Sequence, residues 1–469
     1  MTGIITTPVT RRLMLKRGSQ LGLMGAAAPL AMNLASAADA AAAENPGDYR
    51  ALVCVFLYGG NDHASSLVPY DAVNHARYRD IRGPIAFQRK DLAKTALTPL
   101  APQTLTDNQQ FAFAPYCPRL KVLFDGGKLA VQLNVGPLVT PLTLKQYQSS
   151  NRALYPLPPK LFSHNDQQSV WQALGSEGSS VGWGGRLGDL AMAGNDHALL
   201  TCISAAGNAV FVSGENALQY QISPSGAIRV NAIQQPPQYG SPAIAEALHQ
   251  LITRPSRHAM ENELAILARR SMAMEGVVNK ALDQVKLETS FDLVPGENPL
   301  ADQMKIVARL IGARKALGSR RQVFFVSLEG FDHHNDLSAK HADLMAKVDE
   351  AIAAFYMATV ELGVASQVTT FTASDFGRTL THNGDGSDHG WGSHHFVVGG
   401  AVKGGRFYGI APRVSVDSDD QVGQGRLLPS TAIDQYAGAM ARWFGVPDGE
   451  MATVFPNIGN FTLSPSRFI

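Results

Sequence analysis

Cysteine is scarce in this chain. Only three occur in 469 residues, Cys54, Cys117 and Cys202, and their spacing fits no cysteine-based metal site. Cys54 lies inside an apolar run and reads as a core residue; a Cys117–Cys202 disulfide stays open for an oxidising compartment. An excess of one charge is also missing. Forty Lys and Arg against 39 Asp and Glu leave a net charge of +1, which gives no electrostatic case for nucleic acid or an anionic membrane as partner. No internal repeat is found. The alanine-rich run from Leu21 to Ala38 is too short, and too poor in Leu and Ile, for an integral membrane segment. What remains, 45% hydrophobic and 17% charged residues, describes an ordinary globular protein.

That N-terminal run follows "TRRLMLKRG", Thr10 to Gly18, and ends on small residues at Ala35 and Ala37. Paired Arg11 and Arg12, a weakly apolar stretch and an A-x-A site resemble a twin-arginine export signal, with Met14 where Phe or Leu is commoner. The resemblance implies a signal peptide over 1–38, the twin-arginine export machinery as partner, and a periplasmic or extracellular destination. The bland alternative is a basic, disordered N-terminus. Export in the folded state suits a chain that loads a metal before crossing.

Residues 48–469 then read as one α/β domain. "ALVCVFLYGGND" (Ala51 to Asp62) is a continuous apolar run ended by Gly-Gly, the pattern of a strand buried on both faces of a parallel sheet. "GKLAVQLNVG" (Gly127 to Gly136), "RQVFFVSLEGFD" (Arg321 to Asp332) and "SQVTTFTASDFG" (Ser366 to Gly377) repeat it. "HHFVVGGAVKGGRFYG" (His394 to Gly409) predicts a strand and a glycine-rich hairpin. Helical spacing covers Pro299 to Gly318, Asn335 to Leu362 and Thr431 to Val446. Strands alternating with helices predict a mainly parallel sheet flanked by helices. The segment 242–294 is helical in pattern and predicts an insertion, with 224–241 as the linker before it.

Ligands of parallel α/β sheets gather beyond the carboxyl ends of the strands. Three of these runs end there in candidate ligands: Asp62, Asp332 with His333 and His334, and Asp375. Ten residues, "SDHGWGSHHF" (Ser387 to Phe396), then supply His389, His394 and His395. A lone Asp at a strand end is usually a turn or capping residue. Three of them joined by a histidine cluster favour a divalent ion, and mixed carboxylate and imidazole donors suit zinc, manganese or iron over calcium. "LFSHNDQQSVW" places Ser163 and His164, both candidate catalytic residues, where a helix begins. A hydroxyl there stands in a positive field that suits a nucleophile or a bound anion, and equally suits an N-cap with Asp166 as capping-box partner. In "SDFGRTL", Arg378 is placed to hold an oxyanion or to pair with a neighbouring carboxylate. "GWGGRLGD" follows no strand and is a weak phosphate-loop signal.

In order along the chain, "FLYGGND", "FSHNDQQSVW", "GWGGRL", "FFVSLEGFDHHNDL", "TASDFGRTL", "SDHGWGSHHFVVGGAVKGGRFYG" and "IDQYAGAMARWFGV" resemble the family of proteins numbered as domain of unknown function 1501, from about Leu52 to the C-terminus. That family in turn resembles the alkaline phosphatase and sulfatase superfamily, a metal-dependent α/β fold. The resemblance implies metal ligands at Asp62, Asp332, His334, Asp375 and His389, with Ser163 near the nucleophile position. His394 and His395 begin a strand and point to opposite faces, so one of them at most faces the site; His394 is carried as a candidate ligand. Two departures stand out. Phe376 occupies the place where the superfamily's Asp-His pair has its histidine, and His334 follows Asp332 by two residues rather than four, where Asp336 stands. One ion is therefore expected rather than two.

These residues together predict an exported metal-dependent hydrolase-like protein acting on a phosphate or sulfate ester, small or polymer-linked. The rival reading, which Phe376 favours, is a non-catalytic periplasmic or surface binding protein on the same fold. Replacing Arg11 and Arg12 by Lys should leave precursor in the cytoplasm, as read by fractionation and immunoblotting. Mature protein reaching the periplasm unchanged would exclude the twin-arginine route.

Overall fold

The structure, a computed structural model, describes residues 49–228, 241–293, 295–462 and 467–469. The expected signal peptide lies outside them, and so does most of the expected linker. Ten strands form the main sheet: β1 (Arg50–Leu57), β2 (Leu129–Gly136), β3 (Cys202–Ser204), β4 (Tyr220–Ser223), β5 (Gly226–Ala227), β6 (Arg321–Leu328), β7 (Val368–Ser374), β8 (Ser393–Gly399), β9 (Arg406–Tyr408) and β10 (Thr431–Ala432). The helices that matter below are α1 (Ala72–Arg82), α2 (His164–Ala173), α3 (Trp183–Ala191), α4 (Pro242–Thr253), α5 (Ala259–Leu282), α6 (Pro299–Gly312), α7 (Leu337–Glu361) and α8 (Ile433–Phe444).

The sheet runs β9-β2-β8-β7-β1-β6-β3-β4-β5, with β10 paired to the end of β2. β1 lies at its centre, parallel to both β6 and β7. Every residue of β1 after Arg50 is buried, and its side chains alternate between two cores. Val53, Val55 and Leu57 face Met304 and Val307 of α6 with Val348, Ile352 and Phe355 of α7. Leu52, Cys54 and Phe56 face Trp171 of α2, Trp183 of α3, and Tyr436 and Met440 of α8. Burial on both faces is why these runs read as unbroken apolar stretches rather than alternating ones. The expected α/β architecture, a mainly parallel sheet flanked by helices, is what the chain adopts.

Two local expectations are corrected and one open question, the cysteine pair, is settled. First, β8 and β9 do not form a hairpin. β8 is antiparallel to β7 and β2, while β9 pairs with the far side of β2 in parallel. Gly404 makes that crossing by close approach, since a Cβ there would come within 2.6 Å of the Leu129 amide. Reversal of β8 also puts its first residues, and the loop before it, at the edge where the parallel strands end. Second, Cys117 and Cys202 do not pair. All three cysteines are free and buried, and Cys117 and Cys202 belong to the cores on opposite faces of the sheet. Third, neither His394 nor His395 reaches the strand-end cluster. His394 accepts a hydrogen bond from the Asn134 amide at 3.1 Å, and His395 packs on Trp171 and Tyr436.

Helices α4 and α5 occupy most of 242–294, the segment expected to be a helical insertion. Among the described residues no helix is long and apolar enough to cross a membrane. Thiol titration of protein unfolded without reductant should find three thiols per chain. A count of one would reveal a disulfide.

Candidate metal centre

β1 runs into Gly59 and Gly60, and both adopt left-handed backbone, φ +113° and +85°. Neither position has room for a side chain. A Cβ on Gly59 would lie 2.4 Å from the Asp332 amide, and one on Gly60 2.4 Å from the Phe376 ring. Glycine here lets the loops after β1, β6 and β7 touch. Gly59 is held from both sides: its N–H donates to Asp375 Oδ1 and its carbonyl accepts from Arg378, each at 3.1 Å.

Around Asp332 three imidazoles converge. His334 Nε2 lies 3.1 Å and His389 Nε2 3.3 Å from Asp332 Oδ1, and the two nitrogens are 3.0 Å apart. His164 Nε2 stands 3.4 Å from the other oxygen, Oδ2, buried and without a hydrogen-bond partner. The opposite ring nitrogen of each histidine faces an acceptor that takes its proton. His164 Nδ1 meets Asp375 Oδ2 at 2.7 Å, His334 Nδ1 meets Asp388 Oδ1 at 3.2 Å, and His389 Nδ1 meets the Phe162 carbonyl at 2.8 Å. An acceptor at Nδ1 leaves the neutral ring with its lone pair on Nε2. Three nitrogen lone pairs thus point at one carboxylate, and such a set needs a proton or a cation among its members.

The electrostatics follow the same partners. Its hydrogen bond to Asp375 raises the pKa of His164, against the opposing effect of burial. Burial lowers that of His389, with the Phe162 carbonyl opposing. Burial works to raise Asp332, but Arg378, His334 and His164 bring it below the usual carboxylate range. Phe376 packs under the rings of His164 and His389, with centroids 4.8 and 4.6 Å away, and provides an apolar floor.

The remaining expected site residues sit elsewhere. Asp62 is fully buried behind Ser387: it caps the turn His63–Ser66, accepts from Ser387 Oγ at 2.7 Å, and pairs with Arg82 of α1 at 3.1 Å. Burial alone would raise its pKa, yet Arg82, His341, His63 and Ser387 hold it far below the ordinary range. Asp375 lies one bond behind the cluster, its Oδ2 taken by His164 and by Gln168 at 2.7 Å. Ser163 gives its hydroxyl to Asp166 and makes no capping bond. Arg378 spends its donors on Asp332, Gly59 and Ser387, so it orients the carboxylate and has little left for an oxyanion. His164, expected as a catalytic group, stands among the candidate ligands.

Sequence reasoning passed over Asp388, Gln168 and the Phe162 carbonyl. Asp388 was adjacent to His389, and Gln168 shares a helix face with His164 at four-residue spacing. A backbone carbonyl carries no sequence signal.

The donor set fits a divalent ion. His164, Asp332 and His389 offer ligand atoms within 4.8 Å of one another. The triangle of Asp332, His334 and His389, with its 3.0–3.3 Å edges, matches the roughly 3.3 Å between ligands of a tetrahedral ion with bonds of about 2.0–2.1 Å. Outward Nδ1 partners are the usual companions of metal-bound histidine.

The chain belongs to the family described as proteins of unknown function, DUF1501, whose model matches residues 49–449. No curated protein matches it. Among solved structures it is similar to Ps i-CgsB, at 10% identity over 88% of this chain and 77% of that one, with a TM-score of 0.36. The complex of Ps i-CgsB with k-i-k-neocarrahexaose gives 11%, 87%, 77% and 0.33. A Bacteroides thetaiotaomicron protein connected with the metabolism of multiple glycosaminoglycans gives 11%, 86%, 74% and 0.33. Likenesses this distant carry no residue roles.

Replacing Asp375 by Asn removes the charge, and with it the charge-assisted part of the hydrogen bond, that raises His164. The His164 ring should then titrate at lower pH in two-dimensional NMR. An unmoved titration would mean that Asp375 does not set its basicity. Stability from this pair is fully present below the unfolded imidazole value of about 6.5 and is lost as pH rises through the raised native value. The gap in Tm between wild type and Asp375→Asn should therefore narrow with rising pH.

Proposed function

We propose that this member of the family is an exported, metal-dependent hydrolase-like protein acting on a phosphate or sulfate ester. One divalent ion (zinc, manganese or iron) is held by Asp332, His334 and His389. The observation that carries the reading is the triangle of one carboxylate oxygen and two Nε2 atoms, 3.0–3.3 Å on each edge, with both Nδ1 protons turned outward. A bound ion would supply Lewis-acid polarisation of an ester oxygen and acidify a water. Export to the periplasm or outside the cell rests on the N-terminal stretch alone.

The chain's own residues have separate tasks. His164, backed by the buried Asp375 carboxylate, is the group suited to take a proton from an attacking water as general base. Ser163 is committed to Asp166, so water is the nucleophile in this reading. Arg378 aims the Asp332 carboxylate, at 2.8 Å. Phe376 fills the place of a second histidine ligand and supports a single ion.

One observation favours the second reading, a binding protein without catalysis. With the Arg378 donors spent on the protein itself, no arginine clamp for an ester anion stands at Asp332 among the described residues. A screen of aryl phosphates and sulfates with the ion-loaded protein separates the two.

Purified protein should carry the ion, and Asp332→Ala or His389→Ala should lower metal content far more than His382→Ala, whose ring hydrogen-bonds to the Gly384 backbone. Binding should weaken as pH falls through the imidazole range, because protons compete for the same lone pairs. If metal analysis finds no ion, and zinc or manganese leaves Tm unchanged, the binding-protein reading replaces the hydrolase.

A further inference from the structure

The turn that delivers His164 is strained. Lys160 and Phe162 are non-glycine residues with φ of +37° and +73°, and the N-cap Ser163 makes no side-chain capping bond. A bulky residue in left-handed backbone persists only where its surroundings over-determine it. At Phe162 they do so twice. Its carbonyl accepts the His389 Nδ1 proton at 2.8 Å. Its ring lies beneath the Arg426 guanidinium, 5.4 Å from centroid to carbon, and Arg426 Nε in turn donates to the His389 carbonyl at 2.7 Å. His389 is thus gripped at its ring by one partner and at its backbone by the other. The same ring packs in a small apolar cluster with Trp391, two residues beyond His389.

We propose that Phe162 and Arg426 are positioning residues for the metal centre: a stacked brace that sets His389 at ion-binding distance and locks its tautomer. The proposal rests on the metal reading above. Its chemistry is specific. Without an acceptor at Nδ1, the His389 proton is free to move to Nε2, and the nitrogen facing Asp332 then has no lone pair to offer. Because the guanidinium both stacks and donates, Lys is not an equivalent of Arg426.

The test uses the full-length mature protein, with zinc affinity from competition titration and the visible spectrum of bound cobalt as readouts. Phe162→Ala and Arg426→Gln should each weaken zinc binding by about tenfold or more and alter the cobalt spectrum. Phe162→Tyr, which keeps the ring, should stay within about threefold of wild type. In the double variant the two losses should not add, since both break one brace. Should Phe162→Ala fail to fold by circular dichroism, Arg426→Lys reads the same contact with the Phe162 ring in place, and a loss like that of Arg426→Gln is expected. Unchanged affinity and spectrum in the folded variants, with wild type binding normally, would overturn the brace and leave the metal reading intact. Equal losses in Phe162→Tyr and Phe162→Ala would also overturn it, because the effect is then bulk packing. A wild type that binds neither zinc nor cobalt would end the metal reading itself, and the brace with it.

Discussion

A carboxylate removed from water must collect donors from the protein, and Asp375 collects them from separate parts of the chain. The Gly59 amide comes from the loop after β1, while His164 and Gln168 come from the first turns of α2. Burial makes these bonds obligatory rather than optional, because an unpaired ion in the interior costs several kcal/mol. Satisfying Asp375 therefore docks α2 onto the strand ends and turns the His164 Nε2 inward. The geometry of this sheet edge follows from that need.

A second carboxylate does the same work one layer deeper. Asp62 binds Arg82 from α1, while Ser387 links it to Arg378, which reaches out to Asp332. Two arginines and two aspartates thus alternate from the buried base of the site to its exposed rim. Breaking a buried pair on one side leaves a charge without compensation, so each member is fixed by the others. Histidines deep in this region, His333 and His341, are kept neutral by burial, with pKa values of about 4 and about 3, and add no further charge to the network.

Much of the fold was legible because burial on both faces leaves a plain mark. Runs such as "ALVCVFL" have nowhere to be but the middle of a sheet, and their ends locate the functional edge. Asp332 and His334 were legible as candidate ligand types for the same reason, just beyond such a run, and His389 from the histidine cluster before β8. Pairing was not. Nothing in "SHHF" tells that Asn134 donates to His394 from a neighbouring strand, or that Asp62 finds Arg82 twenty residues on. The supposed hairpin after His394 failed because glycines that permit a turn equally permit a close crossing past β2. Strand order is a property of the whole chain, and local pattern does not encode it.

The central position of β1 bears on the order in which the molecule comes into being. Its partners are β6 and β7, and the Tyr49 hydroxyl beside it bonds Gln322, 273 residues away. Contacts of such long range close late and slowly. During synthesis the most apolar strand waits without either neighbour until the final third of the chain has emerged, the kind of exposure that invites aggregation. His334 and His389 both follow that first pairing partner in sequence. The candidate donors come together only after these strands pair, so an intact cluster also marks a chain that has finished folding.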